Sequence, residues 1–151
     1  MTTKPCLLSL YGLLAAVLLS SCAAGYNRAW DAAAKHAAAQ GIEGAYAGSW
    51  QSTATGHHGR LRCIVGPSLN AQGDHDFHYH ATWQGILSGA YHATHRVTRT
   101  EDGYQFTGQH KMPAWAGGMY NYEGVISGAD FRATYRADKD AGAFTMKRAR
   151  Q

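Results

Sequence analysis

Charge is scarce in this chain. Asp, Glu, Lys and Arg make up 16% of its 151 residues, against ~25% in an ordinary soluble domain. Runs of basic residues are absent, so nucleic acid is not an expected partner. The shortage of charge does not signal disorder. Hydrophobic residues reach 45% and aromatic residues 11%, enough apolar surface to offset the entropy of ordering one domain. No period of three or seven runs through the sequence, which excludes collagen-like and coiled-coil chains. No apolar run reaches the ~20 residues of a membrane-spanning helix. Catalytic signatures are missing as well. There is no Gly-X-Ser-X-Gly, no His-Glu-X-X-His and no glycine-rich loop between a strand and a helix. The carboxylates Asp74, Asp76, Glu101, Asp102, Asp130, Asp138 and Asp140 mostly fall in turns, where such side chains bond to the backbone. Neither an enzyme nor a cofactor is expected.

What is present begins at the N-terminus. Met1-Thr2-Thr3-Lys4 carries one positive charge, and Leu7 to Leu19 is apolar apart from Ser9 and Tyr11. A charged start followed by a short apolar core is the layout of a secretion signal. It ends in Leu19-Ser20-Ser21-Cys22, which resembles the lipobox of bacterial lipoproteins. The resemblance implies cleavage before Cys22 and attachment of lipid to its thiol. Ala23 stands where aspartate is the usual inner-membrane retention signal in enteric-type bacteria. The resemblance therefore implies an envelope protein on the periplasmic face of the outer membrane. Cysteine usage agrees: of three cysteines, Cys6 leaves with the signal and Cys22 carries lipid. Cys63 is then alone in a disulfide-permitting compartment and is expected as a small buried apolar residue. The expected segments are a signal peptide over 1–21, a lipidated tether over 22–45 and a β domain over 46–149. Trp30 to Gln40 in the tether is alanine-rich and stops at Gly41, which predicts one short helix.

From Tyr46 onward the pattern has period two, broken by glycine-bearing turns. Eight strands are predicted, over 46–53, 58–65, 75–84, 89–98, 103–111, 118–127, 129–137 and 142–149. The connections leave no room for crossover helices, so the sheet is expected to be antiparallel throughout. The fold class is all-β, an eight-stranded up-and-down meander whose edges vanish if it closes into a barrel. The larger, more apolar face of the strands is expected inside. It carries Trp50, Leu61, Cys63, Val65, Phe77, Tyr79, Ala81, Trp83, Tyr91, Ala93, Val97, Tyr104, Phe106, Tyr120, Tyr122, Ile126, Phe131, Ala133, Tyr135, Phe144 and Met146. Gly48-Ser49-Trp50 resembles the first strand of lipocalins and other calycin-type barrels, where Gly-X-Trp recurs. Residues 46–149 are closer in size to the compact avidin-type barrels. The resemblance implies architecture, not a ligand. It also implies a basic residue from the last strand covering the tryptophan, with Arg148 the candidate.

Two features of this pattern could carry function. The inner face holds six tyrosines, and each buried phenol left without a hydrogen-bond partner costs about 1–3 kcal/mol. Either the hydroxyls reach the barrel rim around a filled core, or they line a cavity. An eight-stranded barrel has room for one small ligand. The candidate ligand-binding residues are Trp50, Tyr79, Trp83, Tyr91, Tyr104, Tyr120, Tyr122 and Tyr135. The second feature is histidine, nine in all. His78 and His80 share one strand face, and a hairpin about 86–87 would put His92 beside His80. These three are a candidate set for zinc or copper, set against the simpler reading of a solvated polar face. The outward arginines at 60, 62, 96, 132 and 136 face one strand acid, Glu123. They would suit anionic lipid or glycan, or simply solubilise the surface. The overall expectation is a lipid-anchored envelope protein whose barrel binds a small apolar or aromatic ligand or an envelope partner. A filled, purely structural barrel and a histidine metal module are its competitors. A transmembrane barrel is disfavoured by the arginines and histidines on the outward face.

Overall fold

The computed structural model describes residues 24–35, 41–83, 85, 87–114 and 117–149. The expected signal peptide, Cys22 and the last residues of the expected helix lie outside them. The described residues form a helix, α1, over 24–35 and eight strands. These are β1 (Gly44–Ser52), β2 (His58–Ser68), β3 (Asp74–Trp83), β4 (Leu87–Thr100), β5 (Gly103–Lys111), β6 (Met119–Ser127), β7 (Asp130–Arg136) and β8 (Ala141–Arg148). Each strand pairs antiparallel with the next, and β8 returns to β1 to close the barrel in the order β1 to β8. Closure runs from Tyr46 opposite Arg148 to Ser52 opposite Gly142. The all-β, up-and-down architecture expected from the alternation is therefore present, and it is consistent with a calycin-like barrel.

Period-two alternation decides which side chains point inward, because successive residues of a strand project to opposite faces. Leu61, Cys63 and Val65 of β2, Phe77, Tyr79 and Ala81 of β3, and Phe131, Ala133 and Tyr135 of β7 are all buried. Cys63 lies inside, and burial pushes its thiol well up, so it packs as a small apolar residue. Arg60, Arg96, Arg132 and Arg136 face water.

Connections between strands gather at two ends. One end has the turns after β2, β4 and β6 and the entry of the chain into β1. Here Phe77 lies 5.0 Å from Phe106 and 6.1 Å from Phe131, centroid to centroid, and Phe106 lies 5.1 Å from Phe131. Tyr46 packs on Phe131 at 5.4 Å. Tyr46 donates its hydroxyl to the Ile42 carbonyl at 2.8 Å. Arg148 lies over the Tyr46 ring at 5.0 Å and donates to the carbonyls of Glu43 and Gly41, each at 2.6 Å. This corrects the expectation that Arg148 covers Trp50. The β1–β8 register sets Tyr46 opposite Arg148 and Trp50 opposite Phe144, so the tryptophan sits at the far end.

Helix α1 starts six residues before the predicted Trp30. The alanine run conceals the reason. Tyr26, Trp30 and Ala34 recur at four-residue spacing, the spacing of one helical face. Tyr26 is 3% exposed and Ala34 is buried. Tyr26 packs against His78 and His80 on the outside of β3 (4.7 and 4.9 Å) and donates to the His78 carbonyl at 3.4 Å. Arg62 of β2 lies over both Tyr26 and Trp30 and donates to Asn27 Oδ1 at 2.8 Å. The helix is thus packed on the barrel wall.

Candidate functional site

The other end is lined by the turns after β1, β3, β5 and β7. It encloses a cavity of about 530 Å³. Six of the eight predicted ligand-binding aromatics line it: Trp50, Trp83, Tyr91, Tyr120, Tyr122 and Tyr135. Leu61, Ala81 and Phe144 complete the walls, while Thr55, His57, Met112, Pro113, Lys139 and Asp140 stand toward the mouth. Tyr79 and Tyr104 are elsewhere. Tyr79 is fully buried beneath the cavity, stacked 6.2 Å from Tyr122. Tyr104 is a half-buried residue packed on the core toward the filled end, opposite Ile126.

Local packing keeps this end hollow. Trp50 donates its indole N–H to the Thr82 carbonyl, 3.0 Å away across β2. Gly59 makes that reach feasible, since a Cβ there would sit 2.8 Å from Trp50 Nε1 and 1.7 Å from the Thr82 oxygen. Trp83 meets Trp50 edge-to-face at 5.6 Å and is 38% exposed. Ala81, two residues before Trp83, adds little bulk to the wall. The Trp50 indole is therefore held at the wall rather than on the barrel axis.

The phenols have found partners inside the barrel. Tyr79 shares a hydrogen bond with His95 Nε2 at 3.1 Å. The Tyr91 and Tyr122 side chains interact through their hydroxyls. Tyr135 donates to Asp140 Oδ2 at 3.2 Å, and the other oxygen of that carboxylate accepts from Ser52 Oγ at 2.6 Å. Ser52 is itself buried and accepts from the Thr55 amide at 2.9 Å. Burial raises every one of these phenols, Tyr122 up to about 12. For Tyr135 the neighbouring Asp140 charge adds to burial. All stay neutral at ordinary pH and act as hydrogen-bonding groups, not charges.

His95 was passed over in the sequence and is the buried polar group at the centre of the barrel. It is 0% exposed, between Ala93 and Val97 on the inner face. Its ring packs on Phe77, Phe106 and Tyr122 at 4.5, 5.2 and 5.3 Å. Gly108 makes the space, since a Cβ there would lie 2.0 Å from His95 Nδ1. Burial, with His110 nearby, holds the imidazole pKa down to about 4, so it is neutral. Nδ1 is buried without a partner among the described residues. Strand alternation places position 95 inside; hydropathy alone does not.

The histidine set on the outer face is arranged differently from the expectation. The β3–β4 register pairs His78, not His80, with His92. The His78 and His92 rings stack at 3.7 Å, and His92 Nδ1 meets Asp76 Oδ2 at 2.7 Å. His80 stacks on Tyr26 instead. Burial and the adjoining His92 hold His78 below the usual histidine range. Among the described residues no group of three or more His, Cys, Asp or Glu side chains is placed to hold a metal ion.

No protein-family model, curated protein or solved structure matches the chain. The geometry is therefore what supports a functional reading.

Proposed function

We propose that this chain is a lipid-anchored envelope protein whose barrel binds a small apolar or aromatic molecule through its open end. The observation that carries the binding role is the cavity of about 530 Å³ walled by two tryptophans and four tyrosines. Ligand sites are typically concave, mostly apolar and supplied with a few fixed polar groups. The neutral phenols and the Asp140 carboxylate provide those groups here. The hydrogen-bonded pairs hold the wall side chains in place, which suits a binding role. The anchor rests on the resemblance of Leu19-Ser20-Ser21-Cys22 to a lipobox, which implies the periplasmic face of the outer membrane. Exposed Leu87 and Met119 flank the mouth and suit exchange of an apolar ligand near a membrane. Arg60, Arg132 and Arg136 are exposed and suit anionic headgroups, whereas Arg62 is held by α1 and Arg96 is paired with Asp74, a strand acid beyond the expected Glu123.

Native mass spectrometry of the mature chain, taken from the envelope in mild detergent, tests the binding role. A retained mass on the order of a few hundred daltons is expected for an occupied cavity of this size. A bare protein mass, unchanged after incubation with envelope extract, overturns it. For the anchor, labelled palmitate should enter the wild-type chain and not Cys22→Ser; label that persists in the variant sinks the lipobox reading.

A further inference from the structure

We propose that the open end recognises an organic cation, a quaternary or alkylated ammonium group seated among the aromatic rings and facing Asp140. The inference rests on reading the cavity as a ligand site, and it names the class of ligand.

Three observations converge on it. The first is the walls. Aromatic faces carry negative electrostatic potential and attract poorly hydrated cations, tryptophan most strongly. Trp50 and Trp83 meet at 65° with centroids 5.6 Å apart, a corner of two indoles. Tyr120 stands 6.2 Å from Tyr122 and 5.7 Å from Tyr135, a bank of further rings around the same space. The phenols are neutral because burial raises them. They therefore offer ring faces and hydroxyl dipoles rather than anions that would need a cation to fold.

The second observation is Asp140. It is the carboxylate among the described residues lining the cavity. It is half-buried and held on two sides, by Ser52 at 2.6 Å and Tyr135 at 3.2 Å. No arginine or lysine is bonded to it among the described residues. A fixed carboxylate at the edge of a low-dielectric space favours a cation far more than it would in water.

The third is the placement of Lys139. It also borders the cavity but belongs to an exposed turn. Its charge is screened by water, while that of Asp140 is less so. An anionic ligand would meet ring faces and a carboxylate, with this screened lysine to attract it. A neutral apolar ligand would use the rings and leave Asp140 idle. A cation uses both.

Isothermal titration of the mature chain with choline, and with its uncharged isostere 3,3-dimethylbutan-1-ol, decides between these. The two have the same shape, so their difference isolates the charge. Choline is expected to bind about tenfold or more tightly than the isostere, the scale of several cation–ring contacts. Asp140→Asn, whose amide oxygen can still accept from Ser52, should weaken choline about tenfold and leave the isostere unchanged. Trp83→Leu, at an exposed position, should weaken choline without loss of folding and covers the case in which Asp140→Asn unfolds. Equal or tighter binding of the isostere overturns the cation while leaving the ligand cavity standing. So does a neutral endogenous ligand in the mass spectrum with no choline binding. A bare mass with binding of neither compound removes both readings.

Discussion

At one end of the barrel Tyr46, Phe77, Phe106 and Phe131 meet in a filled aromatic cluster. At the other, two tryptophans and four tyrosines stand around a cavity of about 530 Å³. Both ends come from the same inward alternation on the same strands. The difference lies in the polar handles. Phenylalanine has none, so its rings collapse onto one another and onto the barrel axis. Tryptophan and tyrosine carry an N–H or O–H that must be bonded when buried. Trp50 is drawn to the Thr82 carbonyl and Tyr135 to Asp140 at the rim. Tyr46 supports the same rule from the filled end. Its hydroxyl is satisfied by the Ile42 carbonyl, and Arg148 seals it from above. The lesson is that hydrogen bonding at the wall, as much as side-chain volume, decides whether a small barrel is filled or hollow.

The largest test of this contrast is a pair of truncations. Phe131→Ala should cost about 3–5 kcal/mol, because it opens a void inside the filled cluster. Trp83→Ala, which removes a partly exposed ring from a wall already facing space, should cost under about 1 kcal/mol. Urea unfolding reads both, and equal costs would break the comparison.

The next test addresses His95, which lies where the two ends meet. The unfolded imidazole binds a proton below about pH 6.5, whereas the native one stays neutral down to about 4. The unfolded state therefore holds more protons between these values. The contribution is present above pH 6.5 and is lost as pH falls toward 4, by about 3 kcal/mol. His95→Gln should flatten the fall in urea midpoint across this window relative to wild type. Parallel pH profiles for the two proteins would show that the buried imidazole is not the cause.

A smaller effect is expected at the seal of the filled end. Arg148→Met removes a guanidinium over Tyr46 and two hydrogen bonds to carbonyls. It should cost about 1–3 kcal/mol without altering ligand retention at the open end. Thermal unfolding with and without ligand checks both halves. A loss of ligand with no loss of stability would mean that the two ends are not the independent units described above.

Much of this was legible in the residues. The eight strands, their antiparallel order and nearly all of the inward set follow from period-two patterning, which is local. Six of the eight predicted ligand aromatics do line the cavity. What was not legible depended on register and on hydropathy. His95 is a polar residue type at an inward position, and only the ring contacts and Gly108 make it a core residue. Asp140 reads as a turn residue, and only the barrel rim brings it to Ser52 and Tyr135 across 88 and five positions of sequence. The Gly-X-Trp resemblance put a basic side chain on the wrong ring, because a three-residue motif carries no information on how β8 is registered against β1. The start of α1 was hidden for a similar reason. Alanine signals a helix, but Tyr26 signals where it begins only once there is a wall of histidines and Arg62 for it to meet.

By itself, then, the sequence determined the strand period, the turn positions and the aromatic stock of the interior, since each depends on residues close together in the chain. The tertiary structure decided three further things. These are the closure of β8 on β1, the ring that Arg148 covers and the end of the barrel that remains open. All three depend on which groups, far apart in sequence, come within hydrogen-bond or ring-contact distance. Such distances are set by the stagger of strands around the whole barrel and not by any one of them.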